Sequence, residues 1–295
     1  MGRQWPTADR QLAPWLDDTA LKPGSEWQQK PPDEFPPPWA CGWGHDVYGL
    51  WYRFSINGVE QCMRWIPKGE FMMGSPDTEP ERDDDEQSHH VTFNRGFWLA
   101  DTACTQELWR VVTQEQPSNF KGESLPVENI SWNDANTFCE QLNQSFPGFD
   151  ACLPSEAQWE YACRAGSKTA FWWGDTLSME QANYDGGVPY AKGKRGKSAD
   201  ETVDVTKFVR NPWGLYQIHG NVYEWCNDWY GDYPNGAVVD PTVLATGDGR
   251  VLRGGCWVSS GRWLRAADRR FARPDYRFDF AGFRLAQVPD SKTEQ

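Results

Sequence analysis

Histidine is scarce in this chain: four occur in 295 residues (His45, His89, His90 and His219), and none forms an HxxxH pair. An iron centre built on that pattern is therefore excluded. The eight cysteines form no CxxC pair and show no metal-finger spacing, so a structural zinc site is not expected. No GxSxG nucleophile signature occurs. Runs of about 18 apolar residues, the length needed to cross a bilayer, are also missing. The N-terminal "MGRQWPTADRQLAPWLDD" has no basic stretch followed by an apolar one, and hence no secretory signal. The expectation is a cytoplasmic chain, or one carried in a phage particle, with reduced and mostly buried cysteines. Positive charge is the minority. Lys and Arg total 29 against 42 Asp and Glu, a net charge of -13 that argues against nucleic acid or an anionic membrane as partner. The one basic stretch, "AKGKRGKSAD" at 191–200, has the Gly and Ser content of a solvated loop.

Aromatic residues are abundant, with 18 Trp. The core must therefore be aromatic. Residues 1–38 are polar and end in stacked prolines, which reads as a Pro-rich arm or linker before one domain over 39–290. Asn57-Gly58 divides two β-branched and aromatic runs, the signature of a hairpin. "KGEFMMGS" and "HHVTFNRGFWLADTACT" read as strands, and the acidic "DTEPERDDDEQ" between them as an exposed loop. Ser131 and Ser155 stand three residues before Asp134 and Gln158, each at capping-box spacing ahead of an amphipathic helix; a weaker helix starts after Thr105. Beyond Gly166 the chain reads as short strands and long loops. The fold class is α+β with few helices. Near the C-terminus, "RFARPDYRFDFAGFRLAQ" alternates rings with charges, as either a half-buried strand or a loop presenting rings to a partner would.

Six ordered blocks carry a resemblance: "RWIPKGEFMMGS", "VTFNRGFWLADTACTQELW", "LPVENISWNDANTFCEQL", "LPSEAQWEYACRAG", "NPWGLYQIHGNVYEWCNDWY" and "RVLRGGCW…GFRLA". Over residues 60–287 the chain resembles the formylglycine-generating-enzyme (sulfatase-modifying factor) family, which implies a C-type lectin-like fold. Family oxidases bind copper through a cysteine pair after the "RGGSW" block. Here the first of those positions falls near Ser259 and the second has no counterpart, while Cys256 replaces the block's Ser. The resemblance therefore implies no oxidase and no catalytic residue, and leaves calcium as the one implied cofactor. Its expected ligands are Gln217, Gly220, Val222 and Glu224, with Gln217 replacing the usual Asn.

The framework "RVLRGG.W…GFRLA" further resembles the variable proteins of diversity-generating retroelements, whose C-terminal region is rewritten at template adenines. Asn codons of the AAC type can become Tyr, Phe, Asp, Ser, Val, Ala, Gly or Cys by adenine replacement alone. Within 250–287 the residues Val258, Ser259, Ser260, Gly261, Asp268, Phe271, Ala272, Tyr276, Phe278, Asp279, Phe280 and Ala281 are all of these types. All but Ala281 form the expected ligand-binding set for a protein or other macromolecule. Gly254, Gly255, Trp257, Gly282, Phe283, Arg284 and Trp263 are expected framework. The expected function is non-enzymatic ligand binding, with an atypical metal-dependent oxidase or a structural subunit as alternatives.

Overall fold

A computed structural model describes residues 35–241 and 246–288, so most of the expected Pro-rich arm lies outside the described residues. The chain opens with a meander of β1 (Gly42–Asp46), β2 (Gly49–Ile56) and β3 (Val59–Ile66). Asn57 and Gly58 both take positive φ, +50° and +85°, as a two-residue hairpin turn between β2 and β3 requires. Along β2 the alternation is clean: Tyr52 and Phe54 are fully buried, while Arg53 between them faces solvent. Then follow β4 (Gly69–Met73), β5 (His89–Phe93) and β6 (Phe97–Ala100), in the two segments expected to be strands.

Three helices follow among the described residues: α1 (Gln106–Thr113), α2 (Trp132–Ser145) and α3 (Glu156–Arg164), with β7 (Ala151–Cys152) between the last two. Thr105 caps α1, and both expected capping boxes are formed, Ser131 with Asp134 and Ser155 with Gln158. The C-terminal half supplies β8 (Tyr223–Trp229), β9 (Val238–Val239), β10 (Arg250–Arg253), a 3-10 turn (Gly261–Leu264), β11 (Arg269–Ala272), β12 (Ala281–Gly282) and β13 (Ala286–Gln287). These assemble into a six-stranded sheet ordered β1-β2-β3-β6-β13-β7, a four-stranded sheet ordered β11-β10-β8-β12 and a three-stranded sheet ordered β4-β5-β9. Strand β13 slots between β6 and β7, so the last described residues are tied to the middle of the first sheet.

The main apolar core lies between this sheet, α1 and α2, and is built from rings. Trp109 stacks on Phe138 at 5.3 Å, and Phe283 meets both edge-on. Phe35 stacks on Trp98 at 5.7 Å and Trp39 packs on Phe149 at 5.4 Å, so the packed body reaches back into the expected arm. Beneath the C-terminal half runs an ionic core. Arg253, fully buried, bonds Glu156 at 2.8 Å and Glu160 at 2.6 Å. Arg269 bonds Glu156 at 2.6 Å, and Arg164 bonds Glu160 at 2.8 Å.

The acidic loop differs from its reading as a solvated segment. Glu79 and Glu86 are buried and grip Arg265 at 2.8 and 2.6 Å, while Asp83 bonds Arg262 and Arg270. Its charges are counter-ions for arginines about 180 residues further on, a pairing that composition alone cannot reveal. The basic stretch 191–200 does lie in an exposed loop.

Candidate functional site: a displayed face on a buried frame

After β10 the chain turns sharply at Gly254 and Gly255, with φ of +94° and +73°. A Cβ at Gly255 would sit 2.8 Å from the Trp263 backbone O, and its positive φ disfavours other residues, so glycine suits this position. Cys256 then starts a tight turn in which Ser259 Oγ accepts the Cys256 N–H at 2.9 Å. This turn separates the expected ligand-binding residues into two groups.

Val258, Phe271 and Tyr276 are 50%, 52% and 47% exposed, and Ser260, Ala272, Phe278, Asp279 and Phe280 are half-buried. Ser259, Gly261 and Asp268 are buried instead, which corrects their assignment to the displayed set, and the codon-reachable Ala281 is buried as well. Each has a physical reason. Ser259 caps its own turn, and its backbone O accepts from Asp185 N at 2.9 Å. A Cβ on Gly261 would meet Tyr190 N at 2.5 Å. Asp268 accepts from Arg270 at 2.8 Å, and burial pushes its carboxyl up to about 7. Ala281 lies in β12, paired to Tyr223.

The displayed rings make two contact groups. Phe278 stacks on Phe280 at 4.8 Å, Tyr276 meets Phe278 edge-on at 6.2 Å, and Phe271 stacks on Tyr230 at 4.3 Å. Phe278 and Phe280 also pack against the main core, so they are displayed on one side only. The loop that carries them is pinned at several points. Asn129 N donates to Phe278 O at 2.7 Å, Asn133 N to Pro274 O at 3.1 Å, and Trp257 Nε1 to Asp279 O at 3.2 Å. Arg277 makes a two-pronged pair with Asp134 at 2.7 and 2.8 Å, joining the loop to the capping box of α2. Of the two readings of this stretch, 273–280 is a pinned presenting loop, and Gly282 to Gln287 is buried frame.

Trp263 is exposed, contrary to its assignment as frame. It is 38% exposed, with Arg270 over its ring at 5.2 Å. Codon reachability excluded it, whereas its place in a polar turn beside Arg262 could have signalled exposure.

The expected calcium positions are close in sequence but differently committed. Arg284 grips Glu224 with both prongs at 2.6 and 2.7 Å, and Trp159 Nε1 donates to it at 2.7 Å. The Gly220 carbonyl accepts from Val222 N at 3.0 Å. Gln217 donates through Nε2 to Asp204 O, and its buried Oε1 alone has no partner. The single carboxylate of the set is engaged by a guanidinium, so only neutral carbonyl oxygens, Gln217 Oε1 among them, are left uncommitted for a divalent cation. Glu224 is thus held in a buried ion pair with Arg284. Elsewhere, Asp83, Asp85 and Glu86 converge, but Arg262, Arg270, Tyr230 and Arg265 already bond them.

The cysteines are all free. Burial pushes the Cys256 thiol up to about 11, against hydrogen bonds from Ser259 that favour the thiolate. His219 is buried between Leu264 O and Trp172 N, and burial holds it neutral, down to about 3. His89 is buried with Nδ1 against Gln87 O.

Residues 57–289 match the sulfatase-modifying factor enzyme 1-like domain. The chain belongs to this family. Among its relatives, the formylglycine-generating enzyme of Streptomyces coelicolor is 34% identical over 175 residues, covering 56% of this chain and 53% of that protein. The mouse formylglycine-generating enzyme is 32% identical over 208 residues, covering 67% and 53%. A serine/threonine-protein kinase pkn1 of Chlamydia caviae is 34% identical over 167 residues, which is 24% of that protein. The chain spans about half, or less, of the length of these relatives. Among solved structures, Treponema denticola variable protein 1 superposes with a TM-score of 0.69 at 28% identity, covering 80% of this chain and 98% of that one. PvdO from Pseudomonas aeruginosa gives 0.65 at 28% identity, covering 77% and 94%. The chain therefore has the formylglycine-generating-enzyme type of C-type lectin-like fold, and its solved neighbours include a variable protein.

Proposed function

We propose that this chain is a non-enzymatic binding protein of the diversity-generating-retroelement type, which presents a variable face to a protein or other macromolecule. The carrying observation is the split within 258–280. Side chains reachable by adenine replacement crown the surface, and beneath them lies a frame of glycine turns and buried ion pairs. Exposed rings provide large contact area at low entropic cost, and a rigid support spares the ordering penalty on binding. The similarity to Treponema denticola variable protein 1 over nearly that protein's whole length supports the reading. The partner meets the face through Val258, Phe271, Tyr276 and Trp263, with Asp279 and Ser260 selecting polar groups. The chain acts in the cytoplasm or within a phage particle; no described helix is long and apolar enough to cross a membrane.

The named relatives favour a second reading, an atypical oxidase. Against it stands thiol chemistry: copper needs thiolates, and the Cys256 thiol is buried and pushed up, with no family partner cysteine following it. Copper and iron titration with an oxygen-uptake assay on a cysteine-containing peptide separates the two. The proposal expects no metal-dependent uptake; turnover that grows with bound metal would overturn it.

A further inference from the structure

The basic stretch 191–200 runs against the net charge of -13, and the displayed residues described above make no use of it. Lys192, Lys194, Arg195 and Lys197 are all exposed, and among the described residues none of these four side chains enters an ion pair or a hydrogen bond. Other basic groups around the displayed residues are already paired: Arg262 and Arg270 with Asp83, Arg273 with Asp275, and Arg277 with Asp134. Uncompensated positive charge is thus concentrated in the short run 192–197.

These cations stand on an ordered loop. Asp185 Oδ1 accepts from Gly187 N at 2.9 Å and from Ser198 Oγ at 3.3 Å. Ser198 Oγ accepts from Gly186 N at 3.0 Å, and Gly186 O from Gly196 N at 2.9 Å, so the ends of segment 185–198 close on each other. Tyr190, buried in the middle, meets Phe171 edge-on at 5.3 Å and donates to Pro80 O at 3.0 Å. A backbone held in this way lowers the ordering cost on contact with a partner.

The same loop is docked on the turn that begins the displayed region. Asp185 N donates to Ser259 O at 2.9 Å, and Gly261 N donates to Val188 O at 2.8 Å. Val188, 50% exposed, therefore sits against the turn that carries Val258 and Ser260. An apolar and cationic margin adjoins these displayed residues. It lies outside 250–287, so it stays the same whatever side chains the displayed positions carry.

Charge and extent then narrow the partner. Free cations beside exposed apolar side chains match a surface that carries carboxylates among apolar groups. A long polyanion such as nucleic acid would run on from the loop to further carboxylates: Glu81, which accepts from Ala191 N at 3.0 Å, and the exposed Asp200 and Glu201. We infer that the loop 185–198 is a fixed part of the binding surface and recognises an acidic polypeptide segment, while the displayed side chains choose among acidic partners. Lys192, Lys194, Arg195 and Lys197 meet its carboxylates, and Val188 an apolar neighbour. This inference rests on the binding-protein reading above.

Selection from a random dodecapeptide library at physiological ionic strength tests it on three proteins: the full chain, a loop variant and a face variant. The loop variant carries Lys192→Gln, Lys194→Gln, Arg195→Gln and Lys197→Gln, and the face variant Val258→Ser, Phe271→Ser and Tyr276→Ser. The full chain should enrich peptides with Asp and Glu beside apolar residues. The loop variant should lose the acidic enrichment and bind a peptide selected on the full chain about tenfold more weakly, with the gap widening as salt is lowered. Its Tm should stay within about 2 °C of the parent, since the four side chains are exposed and unpaired. The face variant should keep the acidic preference and lose the apolar one; if it keeps both, the displayed-face reading fails while the loop inference stands. No peptide selected above background, no acidic enrichment, equal enrichment on the loop variant, or duplex DNA bound more tightly than the selected peptides would overturn the inference.

Discussion

Replacing Arg265 with Met isolates what holds the displayed face in place. Arg265 is fully buried and donates to Glu86 through both terminal nitrogens, at 2.7 and 2.6 Å, and to Glu79 at 2.8 Å. Burial pushes the Glu86 carboxyl up, but the hydrogen bonds and charge of Arg265 outweigh it and hold it below the ordinary range. Removing the guanidinium leaves two carboxylates facing each other in a buried site. Breaking a buried pair from one side costs about 3–5 kcal/mol. At roughly 2–4 °C per kcal/mol for a domain of this size, Tm should fall by about 6 °C or more. The pH dependence gives a second signature. Without Arg265 the folded-state pKa of both carboxyls rises, so stability is retained in acid and lost as pH rises through the new values. Thermal unfolding from pH 4 to 8 reads both effects, and adding Glu86→Gln and Glu79→Gln should recover part of the loss. A Tm within 2 °C of the parent, with the same pH profile, would refute the clamp.

Other consequences follow from the same packing. Burial pushes Glu128, Asp228 and Asp268 each up to about 7, so their contribution is fully present below the ordinary carboxylate range and lost as pH rises through about 7. Tm should therefore decline across that window, and Asp228→Asn should flatten the decline. Tyr276→Ala should cost within about 0.5 kcal/mol, as surface changes do, whereas Phe280→Ala, half-buried against Tyr223, should cost about 1–2 kcal/mol by lost burial; urea unfolding compares them. Ser131→Ala removes the cap of α2 and should cost about 1 kcal/mol, with 273–280 loosening in hydrogen exchange because Asp134 also anchors Arg277.

Local signals in the chain translated well into structure. The Asn57-Gly58 turn and both Ser capping boxes follow from short-range rules that the surroundings do not overturn, whereas the buried "GFRLA" frame was implied by the family resemblance. Ordered family blocks supplied the topology, which local pattern could not have given, since β13 pairs with β6 and β7, about 190 and 135 residues earlier. What stayed hidden depends on distant partners. The acidic run looked solvated because its arginines lie far along the chain, and Glu224 looked free because Arg284 is 60 residues away. Residue type alone could not divide the variable stretch either. Ser259 and Asp268 are polar yet buried, because one caps a turn and the other accepts from Arg270. Trp263 was passed over on codon grounds, although its side chain is exposed.

The DNA around the gene tests the central claim most directly. A diversified binding protein predicts a second, near-identical copy of the segment encoding 250–287 beside a reverse-transcriptase gene. That copy should carry adenines at the codons for Val258, Ser260, Phe271, Tyr276, Phe278, Asp279 and Phe280, and match the gene at those for Gly254, Gly255, Phe283 and Arg284. A locus with no such copy, or a copy whose differences fall evenly over displayed and framework codons, would contradict it.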